Sequence, residues 1–474
     1  MLQLAYAEPA LVADTSAAAM YRALSAGPPD QHGLEQARAF LGQRLQAARQ
    51  LRDELPSDPE QLTPWVASRA FTVGMEYQAY LQARKEGAPR RYFSNQAHAL
   101  YFLRHVAPTK LVDGAWLHGL LARWDDPDFR PLIQTYLEEL GDGVPEKNHV
   151  LLYKKLLAAH ECEDWQQLPD TNFEQGAIQL ALAYDAERFL PEIIGYNLGY
   201  EQLPLHLLIT AYELNELGID PYYFTLHITV DNGSTGHAQK AVQALLQLLP
   251  RCGDSATFWQ RVRDGYRLND LGACTTSVIG SFDLQAELVD IMAAKSHAGC
   301  NMHSNYCRLG GRSINEWLSD PEQIPAMLAE LEQAGWLQRG QPPEQSRFWR
   351  LIQSERAEMF GVFSAYEQQV LRDWLATPPG GPATQPRVPS FRARQRALDA
   401  LGMHHSQRPA APRGIVRHHK DDGNTSPLRD LEQQIATLGS KQAAMQLLQG
   451  LMTPDQHHRP LGLMATRLYR QLIN

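Results

Sequence analysis

Residues 222–241 read YYFTLHITVDNGSTGHAQKA, a stretch that can be taken as strand or as helix. Its first part, FTLHITVD (224–231), alternates β-branched and other side chains in the manner of a strand. The segments on both sides carry helical periodicity, and the chain has no run of alternating βα units. The stretch therefore reads as the start of a helix over 222–249 in an all-α protein. On a helix, His227 and Asp231 are four residues apart, share one face and can converge on one ion. His237 follows six residues after Asp231 with NGSTG between them, where the glycines permit a π-bulge or a short loop.

Working outward, the periodicity predicts helices over 34–51, 67–84, 94–105, 113–124, 131–140, 149–160, 173–200 and 205–217. Prolines 56, 59, 64 and 108 punctuate the early part, and GDGVPEKN (141–148) separates two of the helices. Further helices are expected over 325–337, twice within 346–376, and over 431–452. The composition shifts at ATPPGGPATQPRVPS (376–390), which reads as the start of a linker. The expected organisation is an N-terminal helical extension (1–65), a main helical domain (66–376), a Pro/His/Arg-rich linker (377–427) and a C-terminal helical segment (428–474).

With 474 residues, 44% of them hydrophobic, the chain can bury a sizeable core. A net charge of −9 gives no general attraction to nucleic acid or anionic membrane. No apolar run approaches a membrane span, and the N-terminal stretch lacks a basic region before a long apolar one, so a cytoplasmic protein without a signal peptide is expected. Five cysteines do not suggest a disulfide framework. Cys300, His303 and Cys307 could bind a soft metal but lack an evident fourth ligand, and ordinary thiols are favoured. Neither a phosphate-binding glycine loop nor a GxSxG elbow is present.

Six donors follow in order: Glu139, His149, Glu201, His227, Asp231 and His237. Neutral imidazoles mixed with carboxylates that can bridge and shift suit iron, and ligands of this kind project inward from several helices of a bundle. Each residue has a plainer reading, as a surface acid or a satisfied core histidine. Glu138 rivals Glu139, because adjacent helical residues point about 100° apart. Glu192 rivals Glu201. Glu213 and Glu216, near a helix end, are expected to face solvent. Lys295, Arg308 and Arg312 could grip a substrate carboxylate, with surface ion pairs favoured. The paired His404–His405, His418–His419 and His457–His458 could form a low-affinity metal patch, against a plainer reading as solvated loop residues.

These donors resemble the pattern of the haem-oxygenase-like diiron oxidases and oxygenases, an iron-containing redox enzyme family. In that family a carboxylate comes from an early core helix, a His from the next (in some members with an extra Glu shortly before it), a Glu from a later one, and His, Asp and His from the last. EELGDGVPEKNHVLLY (138–153) supplies Glu139 and His149, GYNLGYE (195–201) supplies Glu201, and 222–241 supplies the rest. Asp113, in VDGAWL (112–117), is the candidate early carboxylate, with helix capping as the alternative. The resemblance covers roughly residues 71–374. Three features depart from the family pattern: Asp in place of Glu at 113, the six-residue step from Asp231 to His237, and Pro145 between Glu139 and His149.

The resemblance implies a seven-helix haem-oxygenase-like fold, two non-haem iron ions and O2 as cofactors. It also implies oxidation of a small amino-acid-, amine- or fatty-acid-like substrate in biosynthesis, by N-oxygenation, desaturation or C–C cleavage. An external electron donor is expected, and a homodimer is compatible with the fold. The competing reading is a haem-binding or non-catalytic interaction protein on the same scaffold.

Overall fold

The computed structural model describes residues 16–230, 236–250, 254–353, 356–379, 389–400 and 425–473. Among them the regular secondary structure is almost wholly helical, as expected. The strands found there, Arg308–Leu309 and Arg312–Ser313, form a small antiparallel hairpin.

Three helices, α1 (Ala17–Ser25), α2 (Gln31–Ala48) and α3 (Leu62–Lys85), precede the donor-bearing region. Next come α4 (Gln96–His105), α5 (Ala107–Lys110), α6 (Arg130–Glu139), α7 (His149–Ala158) and α8 (Glu174–Ala183). They are followed by α9 (Leu190–Tyr200), α10 (Leu205–Glu216), α11 (Tyr222–Val230), α12 (His237–Leu248) and α13 (Ser255–Arg267). FTLHITV is helical, because the hydrogen-bonding context of its neighbours overrides its β-branched character.

Four expected helices are differently built. The span 173–200 is two helices, since Pro191 lies in the first turn of α9, where a missing N–H costs nothing. The span 222–249 is also two, because α12 begins anew at His237 after an extended Gly236. The span 113–124 is a 3-10 stretch, Ala115–Arg123, entered through Gly114 at φ 78°, and Asp113 caps no helix there. Finally, 431–452 divides into Thr425–Thr437 and Lys441–Leu451, the second capped by the Ser440 side chain.

The apolar side chains form two cores. The first joins α1, α2, α6, α8, α9, α12 and α13 with the C-terminal helices, through residues such as Phe40, Trp116, Tyr136, Ile194, Leu448 and Tyr469. The second joins α4, α7, α10 and α11 to the helices after residue 275, through Phe93, Tyr153, Tyr223, Trp317 and Trp374. Where α9 crosses α13 the backbones nearly touch. A Cβ at Gly195 would run into the Val262 carbonyl, and one at Gly265 into the Glu192 carbonyl. This crossing fixes the end of α9, and with it Glu201.

Glu213 does not face solvent. It is fully buried and its carboxylate accepts from the backbone N–H of Arg91, Tyr92 and Phe93 and from the Tyr80 hydroxyl, pinning the loop before α4. Glu216 pairs with Arg84. Among the described residues no helix is long and apolar enough to cross a membrane.

Candidate metal centre

The donors sit at helix ends along the seam between the two cores. Asp113 follows α5, Glu139 ends α6, His149 opens α7, Glu201 follows α9, His227 lies on α11 and His237 opens α12. Two of these places, at the ends of α6 and α9, are helix C-termini, whose unsatisfied carbonyls favour a cation. His149 and His237 instead stand at first helical positions, and Asn148 caps α7 by accepting from the Leu151 N–H at 3.0 Å.

Two groups of donors result. Asp113, Glu139, His149 and His227 form one, Glu139, Glu201 and His237 the other, and within each group one donor atom per residue lies within 4.8 Å of the rest. Glu139 belongs to both. Its Oε2 is 2.5 Å from His149 Nδ1, while its Oε1 is 3.4 Å from His237 Nδ1. In the first group Asp113 Oδ2 stands 3.1 Å from His227 Nε2 and 3.8 Å from His149 Nδ1. In the second, Glu201 Oε2 stands 2.8 Å from His237 Nδ1. Every one of these six side chains is buried, the most exposed being His227 at 6%. Asp231 lies outside the described residues.

Neighbouring groups aim the donors. The Tyr223 carbonyl, 2.8 Å from His227 Nδ1, can only accept, so it places a proton there and turns Nε2 toward Asp113. The Tyr200 and Tyr223 hydroxyls donate to the two Asp113 oxygens at 2.7 and 2.6 Å, and Lys110 donates to Tyr200 at 2.9 Å. Burial, with Asp113 alongside, holds both phenols well above their usual range, so they remain donors. Burial pushes the Asp113 carboxyl up, but Lys110, His227 and His149 together bring it well below the usual carboxylate range.

Glu138 is not a rival to Glu139. It stands behind His237, with its Oε2 2.7 Å from His237 Nε2 and both its oxygens held by Lys240 at 2.5 and 2.7 Å. Burial raises its carboxyl, while the hydrogen bonds from His237 and Lys240 overcome that and lower it to about 2. The ionised carboxylate accepts from Nε2–H and so turns Nδ1 inward, the usual support of a metal-binding imidazole. Glu138→Ala is expected to weaken Fe(II) binding about 10- to 100-fold, read by chelator competition. Unchanged affinity would remove Glu138 from the support of the site.

The donor chemistry fits metal ions. Three buried carboxylates converge on three imidazoles whose inward nitrogens face oxygens, and acceptor facing acceptor at about 3 Å requires something positive between them. A proton on each ring would satisfy these contacts. A cation in each group would satisfy them and also neutralise the carboxylate that the groups share. Mixed imidazole and carboxylate donors suit iron.

Residues 100–270 match the family model described as iron-containing redox enzyme. The matched segment carries all seven candidate ligands, Asp113 through His237. The family is helical, in keeping with the fold, and its iron chemistry supports an iron oxidoreductase. No curated protein and no solved structure matches the chain.

The remaining sequence candidates lie elsewhere. Glu192 pairs with Arg261 at 2.7 Å. Lys295 pairs with Glu367, and Arg312 lies over the Trp317 ring. Cys300, His303 and Cys307 join neither metal-suited group among the described residues. His404, His405, His418 and His419 lie outside those residues. His457 is not solvated but buried, and His458 is half-buried. Sequence reading missed the supporting roles of Lys110, Tyr200, Tyr223 and Lys240. Their one signal was adjacency: Tyr200 precedes Glu201, Tyr223 lies one turn before His227, and Lys240 one turn after His237.

Proposed function

We propose that this protein is a non-haem diiron oxidase or oxygenase. The observation that supports it best is Glu139, which presents one carboxylate oxygen to each of two buried donor groups. Asp113, His149 and His227 would hold one iron with Glu139, while Glu201 and His237 would hold the other with it. Two such ions supply dioxygen binding and its reduction by electrons that an external donor provides.

The chain's own part is to prepare that chemistry. Tyr223 and Glu138 set the tautomers of His227 and His237, so the lone pairs of these two rings point inward before any metal arrives. Tyr200 and Tyr223 hold both Asp113 oxygens, limiting how that carboxylate can turn. Burial of all six described donors keeps bulk water from the centre, which protects reactive species from side reactions. The proposed substrate is a small amino-acid-, amine- or fatty-acid-like molecule of biosynthesis, oxidised by N-oxygenation, desaturation or C–C cleavage. This class rests on the family resemblance.

The test is anaerobic loading of the full chain with Fe(II), iron analysis, then exposure to oxygen with optical and oxygen-electrode recording. About two irons per chain, no Soret band and oxygen uptake that depends on iron support the reading. A Soret band after haem addition without Fe(II) binding would replace it with the haem-binding alternative. No bound iron and no oxygen uptake would leave a helical scaffold without this chemistry.

A further inference from the structure

The segment of residues 440–473 lies outside the family match, yet it touches the metal centre's framework where two ligands are spaced. Glu139 and His149 are joined by a tight loop, in which Asp142 adopts φ 53° and Gly143 φ 76°. The C-terminal segment meets this loop along its length. A Cβ on Gly143 would strike the Leu463 carbonyl, and Arg467 Nε donates to the Gly143 carbonyl at 2.9 Å. Arg470 pairs with Asp142 at 2.5 Å.

The deepest contact is at Asn148, the cap of α7 and the residue next to His149. Asn148 is fully buried, and its side-chain amide donates to the Leu140 carbonyl at 3.2 Å and to His457 Nδ1 at 3.1 Å. Its other end caps α7. One side chain thus ties the end of α6, the start of α7 and the C-terminal segment together. Without His457, one N–H of a buried amide would lose its acceptor, and the loop that spaces Glu139 from His149 would lose its stop.

We infer that the C-terminal segment is a working part of the metal centre, with His457 as the positioning residue that holds the Asn148 cap and so the Glu139–His149 spacing. This rests on the diiron reading above. The segment reaches the ligand loop from far along the sequence, so metal affinity is set in part by residues remote from the matched region.

The experiment measures Fe(II) affinity of the full chain, anaerobically and by chelator competition, well below each variant's thermal midpoint. His457→Ala is expected to weaken binding about 10-fold or more. His457→Gln, which keeps an acceptor for Asn148, should recover most of the loss. Tyr469→Phe removes a hydrogen bond from the same segment to the Leu121 carbonyl, away from the ligand loop, and should bind as wild type. Wild-type affinity in His457→Ala overturns the inference, as does an equal loss in Tyr469→Phe. Should His457→Ala not fold, Arg467→Ala at the exposed side of the same contact is read in its place, with a weaker loss supporting the inference and none overturning it. Glu139→Gln run alongside separates the two readings: if it too binds Fe(II) normally, the metal centre itself is wrong and the inference falls with it.

Discussion

Glu139→Gln is expected to remove both metal ions at once, whereas His237→Ala should remove one. The reason is geometric. Glu139 Oε2 faces His149 and Oε1 faces His237, so a single carboxylate closes both groups. An amide of the same size presents one neutral oxygen and one NH2 group with two N–H donors, and that end would point at a cation. His237, by contrast, belongs to the second group alone. Iron analysis after anaerobic loading should give about two irons per chain for wild type, about one for His237→Ala and close to none for Glu139→Gln. Should Glu139→Gln keep as much iron as His237→Ala, the carboxylate is not shared and the two groups are independent sites. The fold should survive both changes, because neither residue contributes to the apolar cores.

Gly195→Val, at a buried position of α9, is expected to cause a large loss of stability. The helices α9 and α13 pack backbone to backbone, and the Cβ of any residue at 195 would occupy the place of the Val262 carbonyl. Relief requires the helices to separate, which would open the first core along Ile193, Ile194, Val262 and Tyr266. A loss of about 3 kcal/mol or more is expected, measured by urea denaturation of the iron-free chain, with Gly195→Ala less severe. Since Glu201 follows α9 directly, iron in the second group should fall as well. A loss below about 1 kcal/mol would show that the crossing shifts cheaply and does not fix Glu201.

Much of the helical architecture was legible because it is local. Periodicity over 31–48 and 62–85 and the proline and glycine punctuation between elements depend on neighbours within a few residues. The breaks inside 173–200 and 222–249 were harder, since apolar content runs through them and only Pro191 and Gly236 mark the new starts. Asp113 shows the limit most clearly. A helix cap and a buried carboxylate beside two histidines look the same in VDGAWL, and only the approach of α7 and α11 separates them. Glu138 and Glu139 were indistinguishable for the same reason: neighbours on one helix, they end with different duties because α12 meets both.

The helical class and an ordered inventory of imidazoles and carboxylates follow from the order of residues alone. The tertiary structure alone decided that Glu139 stands between two groups, that Glu138 and Lys240 lie behind His237, and that His457 is buried against the Asn148 cap. The physical reason is that backbone preference and hydrophobic period act over a turn or two of helix, while convergence of side chains far apart in the chain is set by how two apolar cores close on the seam between them.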